Sequence, residues 1–501
     1  MNRFVTLMWL GVGVGCASVG CDEAGGEGAA PMETPPSTAR PLDVVSRTVE
    51  LDPRDEAVAT FRRDAHRREA RFLEALAPGQ AFASTRVTQA EIDAGRWTTE
   101  ALFRLGGQLF DLDFTPREGL GRAGVSTLVR VHTGQLGGPD ATRCSSCHWR
   151  GGRAGAGDGA DNVFFDGDGD RPASALTRNP IALVGAGWLE RAASEMTVAL
   201  QARRAELVRS AAARGAAVSG LISAKGVDFG TLTAHPDGRV DTSELAGVDP
   251  DLVIKPFGWK GRFATVREMV EESLRVHHGM QSGHLVAHGP SEILGDGPPE
   301  DPDDDGVVAE IIEGQVTALS LFVALQGVPV ETPPRDTRMS IAWGRGRTRF
   351  DAIGCAECHV PSLRIESSVF TMGNRLGGPP TTVDLATEGA SPQIVPSARG
   401  RLEVRLFSDL RRHEMGPELA ESRAEGGVAA PVFLTPPLWG LARSRPYLHD
   451  GRAPTLEDAI LLHGGEAAAS RDAYAGLDDE ARAELRIFLI SLTRARQFTV
   501  R

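Results

Sequence analysis

Cys144-Ser145-Ser146-Cys147-His148 and Cys355-Ala356-Glu357-Cys358-His359 place two thiols, two spacers and an imidazole in the same order at two points of one chain. Two residues between the cysteines let both sulfurs reach the two vinyl groups of one porphyrin, and the next histidine then falls beneath the iron as proximal ligand. The pattern predicts two covalent c-type haems, one on Cys144, Cys147 and His148 and one on Cys355, Cys358 and His359. Other uses of such cysteines fit less well. A thioredoxin-like dithiol does not need the adjacent histidine and expects a strand-helix context. A structural zinc site would draw on both Cys pairs, yet each pair comes with its own His. At 501 residues the chain can bury a core without disulfide staples.

That length suggests two or three domains at about 150 residues each. Only Cys16 and Cys21 lie outside the two motifs. Arg3 precedes an apolar run from Phe4 to Val14, which is too short for a bilayer span and reads as the core of a signal peptide. Ser18-Val19-Gly20 before Cys21 resembles a lipoprotein cleavage site, a plain signal peptide being the alternative. Residues 1–21 are thus expected to direct export to the periplasm, with a lipid on Cys21 as the means of membrane attachment. The net charge of −13 argues against a nucleic-acid partner, because binding phosphate needs a basic surface. Residues 22–41 have a tether composition, and residues 55–76 read as an exposed helix in which His66 is solvated. The expected organisation is a tether and N-terminal extension over 22–95, a haem domain over 96–330 and a second over 331–501.

An internal duplication supports that division. The attachment cysteines Cys144 and Cys355 lie 211 residues apart, about one domain length, and Gly106-x-x-x-Phe110 recurs as Gly346-x-x-x-Phe350. Gly261 to Glu268 parallels Gly451 to Asp458, each a turn with a Thr N-cap that opens a helix. Those two helices carry His277 and His463 at the ends of apolar stripes. A helix is predicted over 180–213, with Met196, Leu200 and Leu207 inward, another over 308–326, and a closing helix over 478–492 with Leu485, Phe488, Leu489 and Leu492 on one face. The fold expected is mainly α, two cytochrome c-like domains with the haems near their interface.

Asp301-Pro302-Asp303-Asp304-Asp305-Gly306 resembles the first half of a calcium loop, although Ile312 stands where the twelfth-position Glu would be. Calcium on Asp301, Asp303 and Asp305 is one reading and an acidic surface loop the other; Asp166, Asp168 and Asp170 pose the same choice. His284 and His288 at i,i+4 spacing lack a third ligand for zinc.

Thr435-Pro436-Pro437-Leu438-Trp439-Gly440-Leu441, running into Pro446-Tyr447-Leu448-His449-Asp450-Gly451-Arg452, resembles the bacterial di-haem cytochrome c peroxidase superfamily, which includes the MauG-type enzymes. Leu461 to Glu466, Phe407 to Leu410 and His413 to Pro417 are similar to its di-haem oxidoreductase branch, named for peroxidase or thiol oxidoreductase activity. The resemblance covers residues 100 to 495 and implies proximal ligands His148 and His359. It also implies electron entry at a six-coordinate C-terminal haem and peroxide chemistry at the N-terminal one. The distal ligand of the C-terminal haem is implied to be His463, with Met415 as second choice. The peroxidases carry a Glu-Met pair after the first Gly-Arg helix, where this chain has Gly279-Met280. The acid-base group is therefore sought among His277, His278, Glu271 and Glu272, while His277, His278 or Met280 could instead close the first iron. The expected function is an exported di-haem oxidoreductase, peroxidase-like, that takes electrons from a small cytochrome c or cupredoxin and acts on a small molecule such as hydrogen peroxide. The alternative is an electron-transfer protein with both irons six-coordinate.

Overall fold

Buried polar and apolar residues alike make up one helix, Glu313–Ala324, on which several others pack. The computed structural model describes residues 85–125, 139–165, 175–289, 297–308, 310–392, 394, 396–397 and 400–494. The signal peptide, Cys21, the tether, His66 and the Asp166, Asp168 and Asp170 loop lie outside the described residues. The helices that position the sites are α1 (Thr99–Asp111), α2 (Ala186–Arg214), α3 (Val266–Ser273), α4 (Glu313–Ala324), α5 (Thr337–Ala352), α6 (Leu456–Leu461) and α7 (Asp479–Ser491). None of the described helices is long and apolar enough to cross a membrane.

All twelve residues of α4 are buried, which fits a helix without a polar face. Its polar side chains are met internally. Glu313 pairs with Arg267, and Thr317 is bonded by both Arg267 and Gln89. A short capped helix, Gln89–Asp93, supplies that glutamine.

The repeated Gly-x-x-x-Phe has the same role in both halves. α1 packs on α4 and α5 packs on α7. A Cβ on Gly106 would stand 2.0 Å from the Ala318 carbonyl oxygen, and one on Gly346 would stand 2.0 Å from that of Glu484. Only glycine lets the backbones approach so closely. Phe110 and Phe350 lie one turn further along, both buried. Gly346→Ala is therefore expected to cost about 1–3 kcal/mol through overpacking, read as a lower urea midpoint at unchanged slope. An unshifted midpoint would mean that the crossing relaxes freely.

The expectation of a mainly α fold is overturned. Among the described residues helix accounts for 37% and strand for 16%, and the strands form six small antiparallel sheets. Most of their strands are two to four residues long, for example Arg412–Glu414 on Val432–Leu434 and Leu363–Ile365 on Leu402–Val404. So short a strand leaves no alternation to detect. The longest pair, Val218–Ala224 and Val227–Ala234, is closed by Lys225-Gly226 with φ of 50° and 84°. Two positive φ values in a two-residue loop match the right-handed twist of a hairpin.

Helix boundaries moved as well. The helix expected over 308–326 starts only at Glu313, since the acidic loop before it is held in turns. The one expected over 180–213 starts at Ala186, behind Gly185 at φ 73°, and the closing helix runs from its N-cap Asp478 to Ser491. Two apolar clusters result. The larger surrounds α1, α2 and α4. The smaller groups Phe350, Phe407 and Phe488, with ring centroids 5.4–6.0 Å apart, behind Cys355.

Candidate haem centres

Each attachment motif folds as a single 3-10 turn, Cys144–Ser146 and Cys355–Glu357. The motif histidine closes it by donating its backbone N–H to the first cysteine's carbonyl, at 3.1 Å for His148 and 3.0 Å for His359. None of the four motif cysteines is in a disulfide. Burial and the neighbouring Cys147 push Cys144 up to about 12, and burial pushes Cys355 up to about 11. Thiols held protonated in this way are poor redox nucleophiles, which weighs further against a dithiol reading.

The histidines behave alike. His359 Nδ1 lies 2.9 Å from the Phe407 carbonyl oxygen, and His148 Nδ1 lies 2.9 Å from that of Ile181 and 3.2 Å from that of Gly155. A carbonyl can only accept, so Nδ1 carries the proton in both rings and Nε2 is left with its lone pair. Burial holds both rings down at about 4, neutral as an iron ligand must be. Phe407 presents its carbonyl from a backbone at φ 51°, a conformation costly for a non-glycine residue and held here by the aromatic cluster.

A cavity of about 310 Å³ opens above Cys355, Cys358 and His359, with Leu438, Leu441 and Ile460 among its apolar walls. His463 and Met415 line it too. His463 stands two residues beyond α6. It donates Nδ1–H to the Ala459 carbonyl oxygen at 2.7 Å, which leaves Nε2 free. Met415 is adjacent, since the Gly464 N–H bonds its carbonyl oxygen at 3.2 Å. An apolar cavity with two thiols at the rim and imidazole lone pairs available is a donor set that fits a haem.

Cys358, Asp409 and His413 also come close enough to hold a metal ion. The bonding of His413 rules against it. Its Nε2 is 2.8 Å from Asp409 and its Nδ1 is 2.8 Å from Glu466, so both nitrogens donate and neither keeps a lone pair. Burial opposes the charge, but the bond to Asp409 and the other partners push His413 up to about 10. No function had been read for Asp409, His413 and Glu466 in sequence, although all three belong to the motif stretches that carry the resemblance. Only the Asp409 to His413 spacing hinted at a pair.

At the first site α3 continues as a π-turn, Leu274–His278, ended by Gly279 at φ 64°. Such turns re-aim side chains and recur at functional sites. Here two consecutive histidines are brought beside the motif. His278 is buried, bonds Ala141 through Nδ1 at 2.9 Å and sets Nε2 3.6 Å from Cys144 Sγ. Burial, reinforced by His277, holds it down at about 4. His277 Nδ1 lies 3.2 Å from Asp140, whose side chain is wholly buried. Burial pulls His277 down, yet the Asp140 carboxylate outweighs it and raises the imidazole above its usual value. Asp140 had no signal in the sequence, because the pair spans 137 residues.

Glu271 is spent on Arg267 and Arg375, and Glu272 on Arg275. Met280 packs in the larger apolar cluster. His284 and His288 stack at 4.7 Å in a separate short helix, Gly283–His288.

The two sites share a wall. Residues 179–184 line the second cavity, and the Ile181 carbonyl in that stretch holds His148. A buried ionic clasp lies close by. Arg178 pairs with Glu421 and Glu425. Lys260 meets Glu421 at 3.1 Å, bonds the carbonyl oxygens of Ala429, Ala430 and Val432, and sits 3.6 Å from the centre of the Phe433 ring.

Residues 329–492 match the model of a family described as "Di-haem oxidoreductase, putative peroxidase". No curated protein matches the chain. A solved structure of Kuenenia stuttgartiensis hydrazine synthase, pressurized with xenon, is 19% identical over 36% of this chain and 55% of that one, with a TM-score of 0.21. The match thus spans about half of that chain's length, and at that TM-score it carries no argument. Over residues 329–492, which hold the second attachment motif, the histidine-lined cavity and the stretch 407–466, the chain is similar to the di-haem oxidoreductase family.

Proposed function

We propose that the chain is an exported, periplasmic di-haem c-type cytochrome oxidoreductase of peroxidase type, lipid-anchored through Cys21. Electrons arrive from a small cytochrome c or cupredoxin at the site of Cys355, Cys358 and His359. The small-molecule substrate, hydrogen peroxide by class, is handled at the site of Cys144, Cys147 and His148. Support comes above all from the way each motif histidine keeps Nε2 free by tying Nδ1 to a carbonyl. Bound at these positions, haem supplies one-electron redox chemistry that the protein side chains lack.

The residues then divide the work. His463 offers a second imidazole to the second site, and a saturated iron suits electron entry. At the first site, His277, which the Asp140 carboxylate raises above its usual imidazole value, is the proton donor. His278, neutral and anchored, shapes the space around Cys144.

One observation favours the alternative, an electron-transfer protein with both irons six-coordinate. His278 turns its Nε2 lone pair toward Cys144 and, with that sulfur in a thioether, could occupy the first iron. Optical and electron paramagnetic resonance spectra separate the two readings. A high-spin haem that responds to peroxide is the expected result, and two low-spin haems in every redox state would sink the catalytic reading. His463→Gly is expected to alter only the low-spin C-terminal signal. Unchanged spectra in that variant would remove His463 as a ligand.

A further inference from the structure

We propose that Trp149, Arg443 and Arg445 form the surface on which the electron donor docks, and that this donor is a small redox protein with an acidic face. As in the function proposed above, on which this rests, one electron leaves the donor and is gained at the site of Cys355, Cys358 and His359. No atom is transferred.

Residues 438–447 carry most of the surface. Their inner side belongs to the second cavity, which Leu438, Leu441, Pro446 and Tyr447 line. Gly440 at φ 69° opens the turn Leu441–Arg443, and the Tyr447 hydroxyl donates to the Leu441 carbonyl oxygen at 2.7 Å. The segment is thereby held against the cavity. Its outer side turns Arg443 and Arg445 to solvent, both exposed and neither in an ion pair among the described residues.

The first attachment motif sets an aromatic anchor beside them. Trp149 follows His148 directly and is 48% exposed, although indoles are mostly buried. The ring is nonetheless held in place. Its Nε1–H donates to Asp161 at 2.8 Å, and the Arg150 guanidinium lies 5.9 Å from the ring centre. Gly151, two residues on, abuts Arg443, since a Cβ there would stand 3.2 Å from that of Arg443. Arg494 ties the same loop to the chain end by donating to the Gly152 and Arg153 carbonyl oxygens. Burial, helped by Arg443, holds the Arg494 guanidinium down at about 10. A fixed, half-exposed tryptophan next to arginines is the composition that carries protein interfaces. A molecule the size of hydrogen peroxide needs no such surface.

Charge selects the partner. The chain carries −13 overall, yet this face shows two arginines without a carboxylate partner. Acidic groups gather elsewhere, as in the loop where Asp301, Asp303 and Asp305 bring one oxygen each within 4.8 Å of one another. An acidic protein is repelled by the rest of the surface and drawn to this face, which delivers it to the outer wall of the second cavity.

The test uses the full-length holoprotein and two one-electron reductants, anionic Fe(EDTA)2− and cationic hexaammineruthenium(II), mixed by stopped flow from about 20 to 200 mM salt. Added salt is expected to slow reduction by Fe(EDTA)2− and to speed reduction by the ruthenium complex, the signs of a positive entry point. Plastocyanin, an acidic cupredoxin, is expected to bind and to lose affinity over the same range. Arg443→Glu/Arg445→Glu should weaken that binding roughly tenfold or more and reverse the Fe(EDTA)2− salt effect. Arg209→Glu/Arg239→Glu makes an equal charge change at exposed positions elsewhere and should leave both near the wild type. Trp149→Ala should weaken plastocyanin binding with the salt effect kept. Haem content and urea midpoint show that each variant is folded. Wild-type reduction by Fe(EDTA)2− that speeds up with salt would overturn the surface, and equal effects of the two double variants would overturn its place. Binding to anionic lipid vesicles without binding to plastocyanin would overturn the protein partner in favour of a membrane. No step of the test uses peroxide, so failure of the peroxidase reading is seen separately, by spectra with peroxide.

Discussion

Cys355→Ser/Cys358→Ser is expected to yield a chain with one covalent haem in place of two. Serine cannot form the thioether, and the adjacent His359 alone would hold haem only reversibly. The attachment turn itself should survive, since its closing bond runs through the backbone from His359 N–H to the residue 355 carbonyl. Pyridine haemochrome absorbance should fall by half, and the denatured mass should drop by one haem. The converse pair, Cys144→Ser/Cys147→Ser, should also leave one haem, but the one on Cys355 and Cys358. Unchanged haem content in either variant would refute covalent attachment at that motif.

His413 is expected to make stability strongly pH-dependent. Its folded value of about 10 lies above the ordinary value of 6.5, so the folded state binds the extra proton. The contribution is complete below about pH 6.5 and disappears as pH rises through about 10. Thioether formation removes the Cys358 thiol, one of the partners that raises this value, and Glu466 is 44% exposed. After those reductions, about 2–4 kcal/mol remains at pH 7. His413→Gln should lose that amount at pH 7, and its urea midpoint should vary much less than that of the wild type between pH 7 and 10. Parallel pH profiles for the two proteins would show that His413 is neutral in the fold.

The sequence named His359, His463 and Met415 for the second centre, and all three line one cavity. Their legibility came from local chemistry. An attachment motif is five contiguous residues, and Thr455 with Asp458 announces the helix that precedes His463. Asp140, the Ile181 and Phe407 carbonyls and the Glu466 to His413 bond were not legible. Each acts across 33 to 137 residues, and nothing in a local window marks a carbonyl oxygen as an acceptor. The fold class misled for a related reason. Helices of 12 to 29 residues are long enough to show in composition, caps or period, whereas strands of two to four residues are not, and the small sheets went unseen.

By itself the sequence determined the two attachment motifs, the likeness of the C-terminal part to a di-haem oxidoreductase and the capped helices, because these depend on residue type and near-neighbour spacing. Tertiary structure alone decided which nitrogen of each motif histidine is free, and that His413 is a clamped cation with no lone pair for a metal. Those outcomes depend on which distant backbone or carboxyl groups burial brings into contact, and hydrogen-bond partners and local dielectric exist only once the chain has packed.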